Sequence, residues 1–260
     1  MSLWILGALL VVAGAACLYA ASRAQRRVHA MMAAETLSVP ELEELRRISD
    51  ELGARGSFRK VCEVVGLAHP APHGLLTSEL TGTPCVWHGH RIQRRYRHRS
   101  RDSRGNVEVT TRTETVAEHT SGQGFALIRD GWTIGVDPGG QRPDGVEQVT
   151  DRFEEGPGRA GGFMGVLDAL AGTGDDTIGF QYTEWVLRPG TPMYVLGEVH
   201  DAIGPLVIAR PADRKLPFMI STRNEEQLTQ SGRTRQRWLA WTGGGLAVAG
   251  LALVPLGILL

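Results

Sequence analysis

This sequence has little lysine, little cysteine and no net charge. Its 260 residues include Lys60 and Lys215 as the two lysines, and 28 basic residues balance 28 acidic ones. A neutral chain has no overall field that would draw it to nucleic acid or to one class of lipid. Three cysteines exclude a disulfide-rich scaffold, and because Cys17 lies in an apolar segment, one disulfide at most is possible.

Long uncharged apolar segments are present at both ends of the chain, at residues 3–22 and 238–260. A helix of about 20 apolar residues is long enough to cross the roughly 30 Å hydrocarbon core of a membrane. The pattern therefore predicts two transmembrane helices with one domain between them. A cleaved signal peptide is disfavoured because no basic residue precedes the first segment.

Arginines flank both apolar segments on the side of the central domain, including Arg23, Arg26, Arg27, Arg235 and Arg237. Basic flanks favour the cytoplasmic side of a membrane. We therefore expect a two-pass protein of the cell membrane whose central domain faces the cytoplasm.

A juxtamembrane helix is predicted at residues 38–56. Ser38 and Glu41 have the spacing of a capping box, and Pro40 suits the first turn. An apolar stripe at helical spacing follows, formed by Leu42, Leu45, Ile48 and Leu52. This stripe packs either on the domain itself or on a membrane or partner.

The pattern of residues 57–228 favours β-strands. One hairpin is predicted from residues 84–96 and 107–116, and a second from residues 124–128 and 132–136. A glycine-rich insertion at residues 155–175 interrupts this pattern before strands resume. We expect a mainly β domain, a twisted barrel or a sandwich with helices at its base.

Motifs in this order resemble the GIDE domain, also called BAM for "beside a membrane". Four pieces of sequence contain them: Thr83–Trp87, Phe125–Asp130, Glu184–Gly190 running into Tyr194–Glu198, and Pro217–Ser221. This domain is found in the MAPL-type mitochondrial E3 ubiquitin ligases and in bacterial membrane proteins. The resemblance covers residues 59–228 and both apolar segments. It implies a membrane-anchored, mainly β domain between two transmembrane helices, here in a bacterial form.

The eukaryotic members of that family carry a RING finger after the second membrane segment. A RING needs about eight cysteine and histidine ligands around two zinc ions. With two cysteines outside the apolar segments, this chain does not supply them, so we do not expect it to catalyse ubiquitin transfer by itself. No Gly-x-Ser-x-Gly elbow or other nucleophile motif is present, and no catalytic residue is predicted.

The predicted function is therefore a membrane-tethered binding or scaffold domain that recognises a protein, a peptide or a lipid-borne ligand. The alternative is an E3 ubiquitin ligase-like component that acts with a RING or conjugating partner in trans. A metal-dependent hydrolase is a further enzymatic possibility.

Two sets of candidate binding residues follow. The resemblance implies Trp185 and Glu198 as surface residues, although both could be structural. Within a run of seven arginines between positions 91 and 104, Arg94, Arg95 and Arg97 are candidates for anionic lipid headgroups. The alternative is a solvated hairpin balanced by acids on the return strand, and nucleic acid is not expected. The balancing acids would be Glu108, Glu114 and Glu118.

His88 and His90 share one face of the predicted strand and are the candidate zinc ligands. The other possibility is that both are solvated, opposite a buried Cys85 and Trp87. No other cofactor is expected.

Overall fold

The computed structural model describes residues 35–101, 105, 107–156 and 177–223, with single positions in the two terminal segments: residues 9, 12–17, 19, 20, 22, 241, 242 and 245. This part of the chain is mainly β. Between residues 35 and 223 its elements are the helix α1 (Val39–Glu51) and the strands β1 (Arg59–His69), β2 (Leu76–Thr77), β3 (Pro84–Cys85), β4 (Trp87–Arg101), β5 (Val107–Thr120), β6 (Phe125–Arg129), β7 (Trp132–Val136), β8 (Glu147–Glu155), β9 (Thr177–Leu187), β10 (Pro192–His200), β11 (Val207–Ala209) and β12 (Met219–Ser221).

Five strands close into a barrel. The order around it is β1-β6-β7-β11-β10, and β10 pairs again with β1. β12 pairs with residues 194–196 of β10, along the same edge that β11 occupies at residues 198–200. All of these pairs are antiparallel except β7 with β11, which are parallel. A five-stranded barrel in which the third and fifth strands run parallel has the topology of the OB-fold.

A second sheet is built from two insertions into the barrel. Along the chain, the long hairpin β4–β5 comes after barrel strand β1 and before barrel strand β6. The strands β8 and β9 come after β7 and before β10. Antiparallel pairing of β4 with β9 joins the two insertions into one four-stranded sheet in the order β5-β4-β9-β8. The sheet therefore brings together residues about 90 positions apart in the chain.

One apolar core connects the barrel with the base of this second sheet. Barrel residues such as Phe125 and Val195 share a buried cluster with Trp87 and Leu187 from β4 and β9. Helix α1 adds Val39 and Leu42 to the same cluster. The predicted capping box is present at its start, where the Ser38 side chain accepts from Glu41 N–H and the Glu41 carboxylate accepts from Ser38 N–H.

The hairpin β6–β7 shows how local sequence determines its turn. Arg129 pairs with Trp132, so Asp130 and Gly131 form a two-residue turn. Both have positive φ, 51° and 81°. A turn of this type suits the right-handed twist of the strands, and Asp-Gly is among the sequences that adopt it most readily.

The predicted fold class is wrong in its two flanking transmembrane helices. Among the described residues, no helix is long and apolar enough to cross a membrane. Helix α1 has 13 residues, against the roughly 20 apolar residues that a crossing requires, and it carries acidic and basic side chains. The predicted two-pass location in the cell membrane is wrong for the same reason. Most of residues 3–22 and 238–260 lie outside the described residues.

The possible disulfide and the glycine-rich insertion are the two remaining features predicted from the sequence. The possible disulfide does not form, because Cys62 and Cys85 are both free and buried. Burial raises the pKa of the Cys85 thiol to about 11, so it behaves as a core residue. Of the predicted glycine-rich insertion at 155–175, residues 157–175 lie outside the described residues.

Candidate functional site

A cavity of about 230 Å³ opens where the four-stranded sheet meets the loop after β7. Two arginines, two histidines and a tryptophan contribute to its wall, together with two glycines. The complete lining is Gly89, His90, Arg91, Glu118, His119, Thr120, Gly140, Arg142 and Trp185. We call it the Trp185 pocket.

Strand register places three of these residues side by side. Gly89 on β4 lies opposite Trp185 on β9 and opposite Thr120 on β5. Two positions further along β4, Arg91 lies opposite Glu118. Directly opposed residues point to the same face of a sheet, so Trp185, Arg91 and Glu118 share one face.

The fourth side of the pocket comes from the turn after β7. Asp137 accepts a hydrogen bond from Gly139 N–H at 2.9 Å, and Gly139 and Gly140 both have positive φ. Asp-Pro-Gly-Gly is suited to such a turn because the aspartate side chain closes it and glycine tolerates the left-handed region. The turn carries Arg142 to the Trp185 ring.

Two guanidinium groups flank the indole of Trp185. The Arg142 guanidinium carbon lies 4.3 Å from the ring centroid, and that of Arg91 lies 5.9 Å from it. Arg91 also donates to Glu118 at 2.6 Å, whereas Arg142 has no ion pair among the described residues. The pocket therefore combines an aromatic surface with a guanidinium whose charge is not neutralised by a nearby carboxylate.

A histidine cluster adjoins the pocket. Glu79 lies 3.4 Å from His90 Nδ1 through one oxygen and 3.4 Å from His119 Nε2 through the other. The ring of His119 lies 5.7 Å from that of His90 and 6.1 Å from that of His88. The prediction that His88 and His90 could be solvated is not met, since their exposed fractions are 7% and 3%.

Burial lowers the pKa of His88 and of His90. The neighbouring Glu79 opposes this effect in part, and His119 adds to it. His88 Nδ1 is buried without a hydrogen-bond partner among the described residues, whereas His90 Nδ1 faces the Glu79 carboxylate at 3.4 Å. In the part of the chain that the structure describes, no three His, Cys, Asp or Glu side chains are arranged to hold one metal ion.

These lowered values predict a loss of stability in mild acid. The unfolded chain protonates its histidines near pH 6.5, whereas folded His88 and His90 resist protonation, so the unfolded state gains protons first as pH falls. We expect the free energy of unfolding to fall from pH 7.5 to 5.5, by up to about 1.4 kcal/mol per pH unit for each histidine. Urea unfolding across this range, compared with the double variant His88→Asn/His90→Asn, measures the effect. Equal slopes for both proteins would contradict it.

The structure disperses the other predicted binding residues. Trp185 lies in the pocket, but Glu198 lies on barrel strand β10, 3.5 Å from Arg59. Arg94 is packed, with an ion pair to Glu114 at 3.1 Å and its guanidinium 5.0 Å from the Tyr96 ring. Arg95 and Arg97 are exposed and lie on the opposite face of β4.

Sequence reasoning did not single out Arg142, Glu118 or His119 as pocket residues. Arg142 follows a turn motif, a signal that predicts a loop without showing what the loop contacts. Glu118 is predicted only as a balancing acid of a solvated return strand, and no role is predicted for His119. Only the β4–β5 register and the position of the Asp137–Gly140 turn bring these residues to Trp185.

The chain matches the model of a known protein family. The model of the GIDE family, described as E3 ubiquitin ligase, matches residues 93–254, which is more than half of the chain. The match includes Trp185 and Arg142 but begins after His88, His90 and Arg91. No curated protein and no solved structure matches the chain.

Proposed function

The chain belongs to the GIDE family of E3 ubiquitin ligases, as its motifs predicted, and we propose that it is a recognition component of ubiquitin-type protein modification. In this proposal it binds an acidic group of a protein or peptide partner in the Trp185 pocket. The transfer chemistry is supplied by a RING or conjugating partner in trans.

The arrangement around Trp185 carries this proposal. A guanidinium 4.3 Å from an indole centroid can meet a carboxylate while the ring packs against the aliphatic part of the same side chain. Arg and Trp are also the residue types that most often dominate protein interfaces. Gly140 leaves open space in the pocket lining, because a Cβ atom there would meet nothing within 4 Å.

Assigning the transfer step to a partner follows from the donor chemistry. Cys62 and Cys85 are buried in apolar surroundings, and burial raises the pKa of both thiols. A thiol held in its neutral form is a poor nucleophile for accepting ubiquitin from a conjugating enzyme. Neither thiol is therefore a good candidate for the transfer step, and we assign that step to a partner.

We expect the pocket to bind a glutamate-containing peptide and to reject its neutral counterpart. The probe is a blocked tripeptide with a central glutamate, with the glutamine version as the matched control. Titration into the full chain, followed by the indole N–H NMR signal of Trp185, should show a shift for the glutamate peptide only. Arg142→Ala should weaken this binding about tenfold, because it removes the charge that meets the carboxylate.

Arg214→Ala is the matched control, since Arg214 is an exposed arginine outside the pocket lining. It should leave the titration unchanged. Equal shifts for the glutamate and glutamine peptides, or equal effects of the two arginine variants, would refute the proposed pocket. Adding activating enzyme, conjugating enzyme and ubiquitin tests the second part: the chain alone should not accelerate discharge of the ubiquitin thioester.

A further inference from the structure

A row of arginines extends from the pocket along β4. Alternate residues of a strand point to one face, and from position 91 to 101 the positions on one face of β4 hold five arginines and one glutamine. They are Arg91, Gln93, Arg95, Arg97, Arg99 and Arg101. We call the outer part of this series, Arg95 to Arg101, the arginine row.

The acids of the return strand do not lie opposite the arginine row. A bulge at Val116 shifts the β4–β5 register between Ile92 and Gln93. As a result Glu114 lies opposite Arg94 and Glu108 opposite Ser100, both on the other face. The residues opposite the row are Thr113, Thr111, Val109 and Val107.

The surface of β5 beside the row carries short side chains and is partly apolar. Val107 and Val109 are 57% and 54% exposed, unusually high for valine. Threonine and valine side chains are short, so the longer arginines can extend over them toward the outer edge of the sheet. β5 is the terminal strand of the described sheet on this side, and an edge strand can accept an added extended segment.

The spacing of the charges fits an extended polypeptide. Arginines at alternate positions of a strand are about 6.7 Å apart, which is also the separation of alternate side chains in any extended peptide. From Arg95 to Arg101 the row spans about 20 Å. Acidic side chains at every second position of a bound segment would therefore meet successive arginines.

Single-stranded nucleic acid fits this surface less well. Such ligands need aromatic rings on which the bases can stack. Tyr96, the aromatic residue within the arginine run, lies on the opposite face with Arg94 stacked on its ring. Phe153 lies near the inner end of the row, but the guanidinium of Arg95 lies 4.8 Å from its centroid.

We propose that the arginine row binds an extended acidic segment, with acids at alternate positions, of the same protein partner whose acidic group enters the Trp185 pocket. This inference rests on the proposed function. The segment lies along the outer edge of β5, with its carboxylates directed over the threonine and valine side chains to the row. The row then selects partners whose acidic residues stand at every second position of an extended segment.

The experiment uses the full chain and a fluorescent ten-residue peptide of alternating glutamate and serine. A control peptide has the same composition with its five glutamates in one block. Fluorescence anisotropy should show tighter binding of the alternating peptide. Arg97→Ala/Arg101→Ala should weaken that binding about tenfold and reduce its salt dependence. The control variant Arg112→Ala/Arg214→Ala removes two exposed arginines that are not on the face of the row, since Arg112 lies opposite Tyr96 on the other face, and it should change little.

Each outcome supports or overturns the inference. Equal affinity for the alternating and block peptides overturns it, as does tighter binding of a ten-nucleotide oligothymidine. If the glutamate tripeptide still binds through Arg142 while the Arg97/Arg101 variant has no effect on the ten-residue peptide, the row fails and the pocket stands. If neither peptide binds, the proposed function fails as well.

Discussion

Replacing Glu184 with alanine is expected to lower the free energy of unfolding by about 3–4 kcal/mol. The Glu184 side chain is fully buried and accepts four hydrogen bonds. They come from Ser78 Oγ at 3.0 Å, Leu80 N–H at 2.7 Å, and Thr81 N–H and Oγ1 at 3.0 and 2.6 Å. Without the carboxylate these donors lose their shared partner, and the Ser78 hydroxyl loses it in a buried position. Urea unfolding followed by circular dichroism measures the difference.

Glu147→Ala is the matched control for this prediction. Glu147 pairs with Arg188 at 2.6 Å, but both side chains are about half exposed, and such a pair contributes under about 1 kcal/mol. A loss for Glu184→Ala no larger than the loss for Glu147→Ala would contradict the role assigned to the buried carboxylate.

The buried carboxylate also has a characteristic pH dependence. Burial alone would raise the pKa of Glu184, but the hydrogen bonds from Thr81, Leu80 and Ser78 outweigh burial and lower it. A lowered folded pKa means that the stabilisation is present above the ordinary glutamate range and is lost as pH falls through the folded value. The Glu184 contribution should therefore persist through the pH range in which the histidines titrate.

The second large effect is expected at Trp87. Its side chain is fully buried in the cluster that joins the barrel strands to the four-stranded sheet. Trp87→Ala should cost about 3–5 kcal/mol because the cavity that it leaves lies between two sheets and cannot collapse fully. The same variant should keep one cooperative urea transition at lower midpoint, since both sheets share this core.

Trp87→Phe separates packing from hydrogen bonding at the same position. Among the described residues, Trp87 Nε1 is buried without a hydrogen-bond partner, so removing it leaves no other group unpaired. We expect phenylalanine to cost less than half as much as alanine. Equal losses for the two variants would contradict a role for Trp87 based on ring packing.

Several local features could be predicted from sequence because neighbouring residues determine them. The Ser38 capping box, the Asp130-Gly131 hairpin and the long β4–β5 hairpin all depend on contacts within a short stretch of chain. The β-rich pattern likewise follows from alternation along each strand. The family assignment from sequence motifs is confirmed by the GIDE match over residues 93–254.

The two transmembrane helices are the prediction that the structure corrects. Apolar length and basic flanks indicate that a segment could cross a membrane, but they do not show that it forms the required helix. Among the described residues, no such helix is present. The membrane location inferred from these segments is corrected with them.

The candidate site could be predicted only in part. Trp185 and the arginines of β4 are visible in the sequence, but their faces are not. Simple alternation along β5 places Glu108, Glu114 and Glu118 on one face, whereas the bulge at Val116 puts Glu118 beside Arg91 and the other two behind the sheet. One extra residue in a strand changes which side chains meet.

The sequence by itself determined the turns, the helix cap, the alternation of strands and the family. Each is a property of neighbouring residues or of motif order along the chain. The tertiary structure decided that two distant insertions pair through β4 and β9, that His88, His90 and Glu184 are buried, and that Arg142 reaches Trp185. These contacts depend on strand register and barrel closure, where long-range packing chooses between pairings that the local sequence permits equally.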